Sequence, residues 1–248
     1  MDIIDIIDFK TEYQNNLGME KNLKFGLEIE MEDIKRKNLV NQIDDSVWNL
    51  HGDSSLKMFK NAEVSSKPFY DKKWSYDQIK KICNKLKELN VNVDRNASLQ
   101  IHYDIEILND SVDNLICFYK LWSIYENIIY HYSYGETTRI RNTIYKYSNM
   151  VTNLFYKANN KGIIENKYDI LFEEGKIVKD LLNYSKIVGS LKLYGFSFRY
   201  NQIFSIQSLK TIEIRTMNAT LDPLLIQNYL KFFYMLLNSC NRVDKDYI

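Results

Sequence analysis

Within Phe25 to Glu32 (FGLEIEME), carboxylates stand at three alternate positions, Glu28, Glu30 and Glu32. On one face of a strand, neighbours two apart lie about 6.5–7 Å from each other. Such charges repel unless water, a cation or an arginine offsets them. Other runs with strand-like alternation carry matching groups: Glu63, then Gln100 with His102, then Arg199 with Asn201, then Glu213 with Arg215. Each alone reads as a solvated strand face, and Glu213 beside Arg215 as a surface ion pair worth at most about 1 kcal/mol. Pointed into one surface by a single sheet, they make a site. Several carboxylates with one imidazole and no cysteine cluster suit a hard cation such as Mg²⁺, which takes oxygen ligands, phosphate and water. Arginines beside them suit bidentate binding of phosphate or carboxylate. The combination points to ATP-dependent phosphoryl chemistry without a P-loop, since no GxxxxGK[ST] occurs.

The elements that must position these groups follow from periodicity. In the first strand Phe25, Leu27, Ile29 and Met31 oppose the carboxylates. The run Leu56 to Ser66 follows a turn at Gly52-Asp53, which predicts a hairpin, and puts Glu63 on a polar face. SLQIHYDIEI, residues 98–107, alternates throughout, with Ser98, Gln100, His102, Asp104 and Glu106 on one side. Phe196 to Gln207 and Lys210 to Asn218 also have strand character. Helices are predicted over Ser75 to Leu89, with Ser75 and Gln78 as a capping box, over Ser111 to Tyr134, over Phe172 to Val188, and from Asp222-Pro223 through Leu237. Lys35 to Asp45 and Gly135 to Asn160 read as loops. The fold class is α+β: an antiparallel sheet whose polar concave face forms the site, with helices on the opposite face. Residues 1–22 form an N-terminal helical extension, and 23–248 a single domain.

Composition narrows the partners. The 248 residues carry 33 basic and 32 acidic side chains, a net charge of +1, so no global field attracts nucleic acid or an anionic membrane. Any anion is held locally. Cys83, Cys117 and Cys240 are far apart and lack metal-ligand spacing, as expected of reduced core thiols in the cytoplasm. No apolar run reaches the roughly 18 residues of a membrane span. His51 and His131 read as structural, and Trp48, Trp74 and Trp122 as core or capping aromatics.

FGLEIEM, WNLHGDSSL followed by AEVSS, SLQIHYDI and TIEIRTMNATLDP, in this order over residues 23 to 237, resemble the amidoligase family. Its members belong to the glutamine-synthetase-like carboxylate-amine ligases. The resemblance implies a glutamine-synthetase-like catalytic fold and a ligase that activates a carboxylate with ATP as an acyl phosphate, which an amine attacks to give an amide or peptide bond. It implies that Glu28, Glu30, Glu63, His102 and Glu213 hold Mg²⁺ and that Arg215 stabilises charge on the phosphoryl group or acyl oxygen. Asp53 would bind substrate or the incoming amine, and Arg139, Arg141 and Arg199 the nucleotide or a carboxylate. Gln100, where the family has a histidine, and Asn201 would face substrate. Ser66-Lys67-Pro68 replaces a serine-proline pair, and no glycine precedes SLQIH. The implied partners are ATP and amino-acid or peptide substrates, with a partner protein or peptide left open, and neither nucleic acid nor membrane. Two other readings stay open: a non-catalytic binding or assembly protein on the same scaffold, and another phosphotransferase of the superfold.

Overall fold

Alternating apolar residues from four strands form one side of a six-stranded sheet, and helices bury it. The computed structural model describes residues 12–32, 34, 36–52, 61–93, 96–109, 111–135, 148, 150, 152, 211–242 and the backbone of 196–199. Its strands are β1 (Phe25–Glu32), β2 (Trp48–His51), β3 (Asn61–Ser66), β4 (Leu99–Asp104), β5 (Phe196–Arg199) and β6 (Thr211–Ile214). They lie in the order β2-β3-β1-β4-β6-β5, and every pairing is antiparallel. The expected α+β architecture is therefore present. Its helices, among the described residues, are α1 (Arg36–Leu39), α2 (Lys73–Glu88), α3 (Val112–Ser133) and α4 (Pro223–Ser239).

Phe25, Leu27, Ile29 and Met31 of β1, Ala62 and Val64 of β3, Leu99, Ile101 and Tyr103 of β4, and Ile212 and Ile214 of β6 are all buried. They share one core with Tyr76, Ile79 and Cys83 of α2, Phe118 and Trp122 of α3, and Tyr229, Leu230 and Phe233 of α4. Each large side chain removed from water this way contributes about 1.5–3 kcal/mol. The apolar face thus faces the helices, and the other face is left for polar groups.

Several expectations are corrected. The strand predicted over 98–107 stops at Asp104, whose carboxylate accepts from the Glu106 N–H at 3.3 Å and starts a 3₁₀ turn, Ile105–Leu108. Asp104 is a good local acceptor, and that bond competes with the ladder. Glu106 thereby leaves the polar face. Ser75 is not the cap of α2: the N-cap is Lys72, and Ser75 Oγ instead accepts from the Tyr70 N–H at 3.4 Å. The polar stretch after β1 contains the short helix α1, anchored by fully buried Leu39. The helix expected over 111–134 is α3, and its Tyr125 and Ile128 are exposed. The expected cap of α4 is present: Asp222 accepts from the Leu224 N–H at 2.9 Å, with Pro223 at the first turn. The β2–β3 hairpin is present too, pairing His51 with Glu63, although 53–60, including the turn residue Asp53, lie outside the described residues. So do the helix expected over 172–188 and most of residues 2–15; of the latter, 12–15 are not helical.

The chain before β1 is tied down by side chains. Asp71 accepts from the Leu17 and Met19 N–H groups at 2.7 and 2.8 Å and from the Tyr76 hydroxyl. Gln227 pairs with the Gln14 backbone through both ends of its amide, at 2.8 and 2.7 Å. Leu17 and Met19 are buried as a result.

Two predictions arise from the core. Gly135, after α3, has φ +64°, and a Cβ there would stand 2.7 Å from the Tyr229 hydroxyl and 2.9 Å from Leu225. Gly135→Ala combines a left-handed backbone penalty with overpacking and destabilises by about 2–4 kcal/mol in urea titrations. Cys83 is fully buried, and burial pushes its thiol up to about 12. At pH 8 its thiolate fraction is about 10⁻⁴, and Cys117 and Cys240 are buried as well. A thiol reagent at pH 8 then labels none of the three rapidly in the native protein and all three after denaturation. Because the folded thiol titrates above its unfolded value, its contribution to stability is full below about pH 9 and is lost as pH rises toward about 12.

Candidate active site

The polar face is assembled by register. Residues paired across neighbouring strands point to the same side, so Glu28 on β1 stands between Ser65 on β3 and Gln100 on β4. One step along the sheet, Gly26, His102, Glu213 and Ser197 form the next row. One step the other way, Glu30 lies opposite Glu63. Gly26 places no side chain against His102, so the imidazole meets the diagonal neighbour on β1, Glu28. His102 Nε2 lies 3.1 Å from Glu28 Oε1.

Glu213 completes this corner. Its carboxylate is fully buried and sits 3.3 Å from Arg215 Nη1. Ligand atoms of Glu28, His102 and Glu213 all lie within 4.8 Å of one another. The three come from three adjacent strands, β1, β4 and β6, and from sequence positions far apart. Thr211 Oγ1 stands 3.4 Å from His102 Nδ1 and steadies the ring.

The donor set fits a divalent cation. His102 Nε2 is buried and makes no hydrogen bond among the described residues, although a carboxylate is near. An imidazole with its proton on Nδ1, toward Thr211, presents the Nε2 lone pair to the same point as the two carboxylates. Two carboxylates and one imidazole are ligands that Mg²⁺ or Mn²⁺ accepts.

Glu30 and Glu63 lie outside that triad. Glu30 is only 5% exposed, and its two oxygens accept from the Ser98 backbone N–H and from Gln100 Nε2, both at 2.8 Å. Glu63 is half-buried at the paired position on β3. Gln100 is 2% exposed, its Nε2 reaches Ser98 Oγ at 3.3 Å as well, and its Oε1 makes no hydrogen bond among the described residues. Glu32 is half-buried and accepts from Asn96 Nδ2 at 2.6 Å, so it is not simply solvated. The backbone of Arg199 sits at the register position opposite Thr211. Asp53, Arg139, Arg141 and Asn201 lie outside the described residues. Ser98 and Thr211 hold Glu30 and His102 in place, and alternation put both on the face without marking them as chemical. His51 reaches Ser65 Oγ at 3.2 Å near the sheet edge, away from the triad, in keeping with a structural part.

Four carboxylates, Glu28, Glu30, Glu63 and Glu213, thus share this face with Arg215 and His102, with His51 at the sheet edge. A surface of that kind binds a cation directly and an anion such as a phosphate through that cation and the guanidinium.

No helix among the described residues is long and apolar enough to cross a membrane. No curated protein matches the chain. A family model described as "Putative amidoligase enzyme" matches residues 43–237. That span carries Glu63, Gln100, His102, Glu213 and Arg215 and begins after β1, so Glu28 joins the site by strand pairing alone. With most of its length matched, the chain belongs to the amidoligase family.

Proposed function

We propose that this protein is an ATP- and Mg²⁺-dependent ligase that joins a carboxylate to an amine. The supporting observation is the convergence of Glu28, His102 and Glu213 within 4.8 Å at the centre of the sheet, beside Arg215. In the first step a substrate carboxylate oxygen attacks the terminal phosphorus of ATP, giving an acyl phosphate and ADP. In the second the amine nitrogen attacks the acyl carbon, the bond to phosphate oxygen breaks, and inorganic phosphate and a proton leave. Mg²⁺, when bound, supplies charge neutralisation between the carboxylates and the phosphate oxygens.

The chain's own residues do the positioning. Glu28, His102 and Glu213 would hold the metal, and the rigid register of three strands sets their separation before any ligand arrives. Arg215, anchored by Glu213, holds its guanidinium toward the polar face, where charge develops on the phosphoryl or acyl oxygen. An antiparallel sheet with polar groups on one face and helices behind the other suits a glutamine-synthetase-like catalytic fold. This reading puts the enzyme in the cytoplasm, where ATP is available and thiols such as the three buried cysteines stay reduced.

The test is a screen of amino-acid and peptide pairs with ATP and Mg²⁺, read by ADP release and product mass, with hydroxylamine added in parallel. The expected result is ADP release that needs a carboxylate, and a hydroxamate when hydroxylamine replaces the amine. ADP release without hydroxamate would favour a phosphotransferase instead. No ADP release and no binding of ATP with Mg²⁺ would overturn the enzyme reading.

A further inference from the structure

Beside the triad a different chemistry is available: Gln100 stands opposite Glu28, and its amide reaches into the neighbouring row of Glu30. Gln100 carries a buried oxygen with no donor among the described residues. The orientation of its amide is fixed, because Nε2 is committed to Glu30 Oε1 at 2.8 Å and to Ser98 Oγ at 3.3 Å. A flipped amide would set oxygen against a carboxylate. The other end, Oε1, therefore stays an acceptor on the polar face, at 2% residue exposure. Leaving such an acceptor unsatisfied is costly, and a ligand that donates to it recovers that cost.

The surroundings say what ligand. Glu30 and Glu63 face each other across β1 and β3 in the neighbouring row, so two carboxylates stand close to the amide. Each Glu30 oxygen already takes an N–H at 2.8 Å, so Glu30 offers charge more than a free coordination site. A divalent metal needs several direct oxygen ligands. A primary ammonium needs one well-placed acceptor and a negative field.

We propose that Gln100 Oε1, with the charges of Glu30 and Glu63, binds the amino group of the amine substrate, beside Glu28 of the triad. The site takes a primary amine as its ammonium form and rejects a cation without N–H. The assignment rests on the ligase reading, because it supplies the amine half of that reaction. Gln100 is thus a substrate-binding residue that also holds Glu30 in place.

The experiment uses the whole chain and three probes at constant ionic strength: methylammonium, tetramethylammonium and Mn²⁺. The side-chain amide signal of Gln100, assigned by its disappearance in Gln100→Met, is followed by nuclear magnetic resonance. Methylammonium shifts that signal saturably, and tetramethylammonium does not. Glu63→Gln, which leaves both bonds to Glu30 in place, weakens methylammonium binding about tenfold, so the result does not depend on Gln100→Met folding. Mn²⁺ binding is kept in Glu63→Gln and lost in Glu28→Gln. Equal response to the two ammonium ions, or no saturable shift, overturns the proposal. Mn²⁺ binding that survives in Glu28→Gln and is lost in Glu63→Gln makes the row a metal site and overturns it too. Failure of the native protein to bind Mn²⁺ counts instead against the ligase reading.

Discussion

Glu28→Gln and Glu213→Gln each lower turnover by 100-fold or more in the reaction that the substrate screen identifies, and each weakens Mn²⁺ binding by at least tenfold. Glutamine keeps the size of the side chain and removes the charge, so the loss reports ligation rather than packing. The three ligand atoms lie within 4.8 Å of one another on rigid strands, so each variant removes one of three ligands from the cluster. A shell of that kind typically loses one to two orders of magnitude in affinity even when only a supporting partner goes. Calorimetric titration with Mn²⁺ and steady-state ADP release check the two effects separately. Retained Mn²⁺ affinity in both variants would remove these residues from the metal site.

Arg215→Met is expected to destabilise the protein by about 3–5 kcal/mol, because it takes the guanidinium away from a carboxylate with no exposed surface. A buried ion pair loses most when one partner remains. The companion variant carrying Arg215→Met and Glu213→Gln together removes the stranded charge and recovers much of that loss. Urea unfolding of the two single variants and the double variant closes the cycle. If the double variant is the sum of the singles, the 3.3 Å contact carries no coupling and Arg215 is held by other groups. Activity falls in all three variants, since the guanidinium and the carboxylate both stand at the proposed site of phosphoryl transfer.

The parts legible in the sequence were those ruled by a period of two. FGLEIEME and SLQIH alternate cleanly because one face is buried under helices, and the observed strands keep that alternation. Glu28, His102 and Glu213 could be named from those faces, since polar residues on a half-buried strand have only one side to occupy. Which of them meet is another matter. Register depends on pairing between segments some seventy to over a hundred residues apart, and periodicity carries no information on it. That is why Glu30, on the same face as Glu28, is found bonded to Ser98, its own neighbour just ahead of β4, and to Gln100, the partner of Glu28. Local hydrogen bonds also escaped the period. Asp104 ends β4 by taking the Glu106 N–H, and the alternation of Ile105 and Ile107 gave no sign of it. The second half of the expected strand at 196–207 and four of the proposed site residues lie outside the described residues.

The place of the triad in the strand order has a dynamic consequence. Its residues come from β1, β4 and β6, all interior strands, while the edges of the sheet are β2 and β5. Edge strands open locally at low free-energy cost, but interior ladders exchange their amide hydrogens only when most of the domain opens. The backbone amides of Glu28 and His102 should therefore be among the last to exchange, whereas those of β2 exchange early. The proposed metal corner would then keep its geometry through every motion short of unfolding, and any movement needed to admit substrates or release product must come from segments outside the sheet's centre.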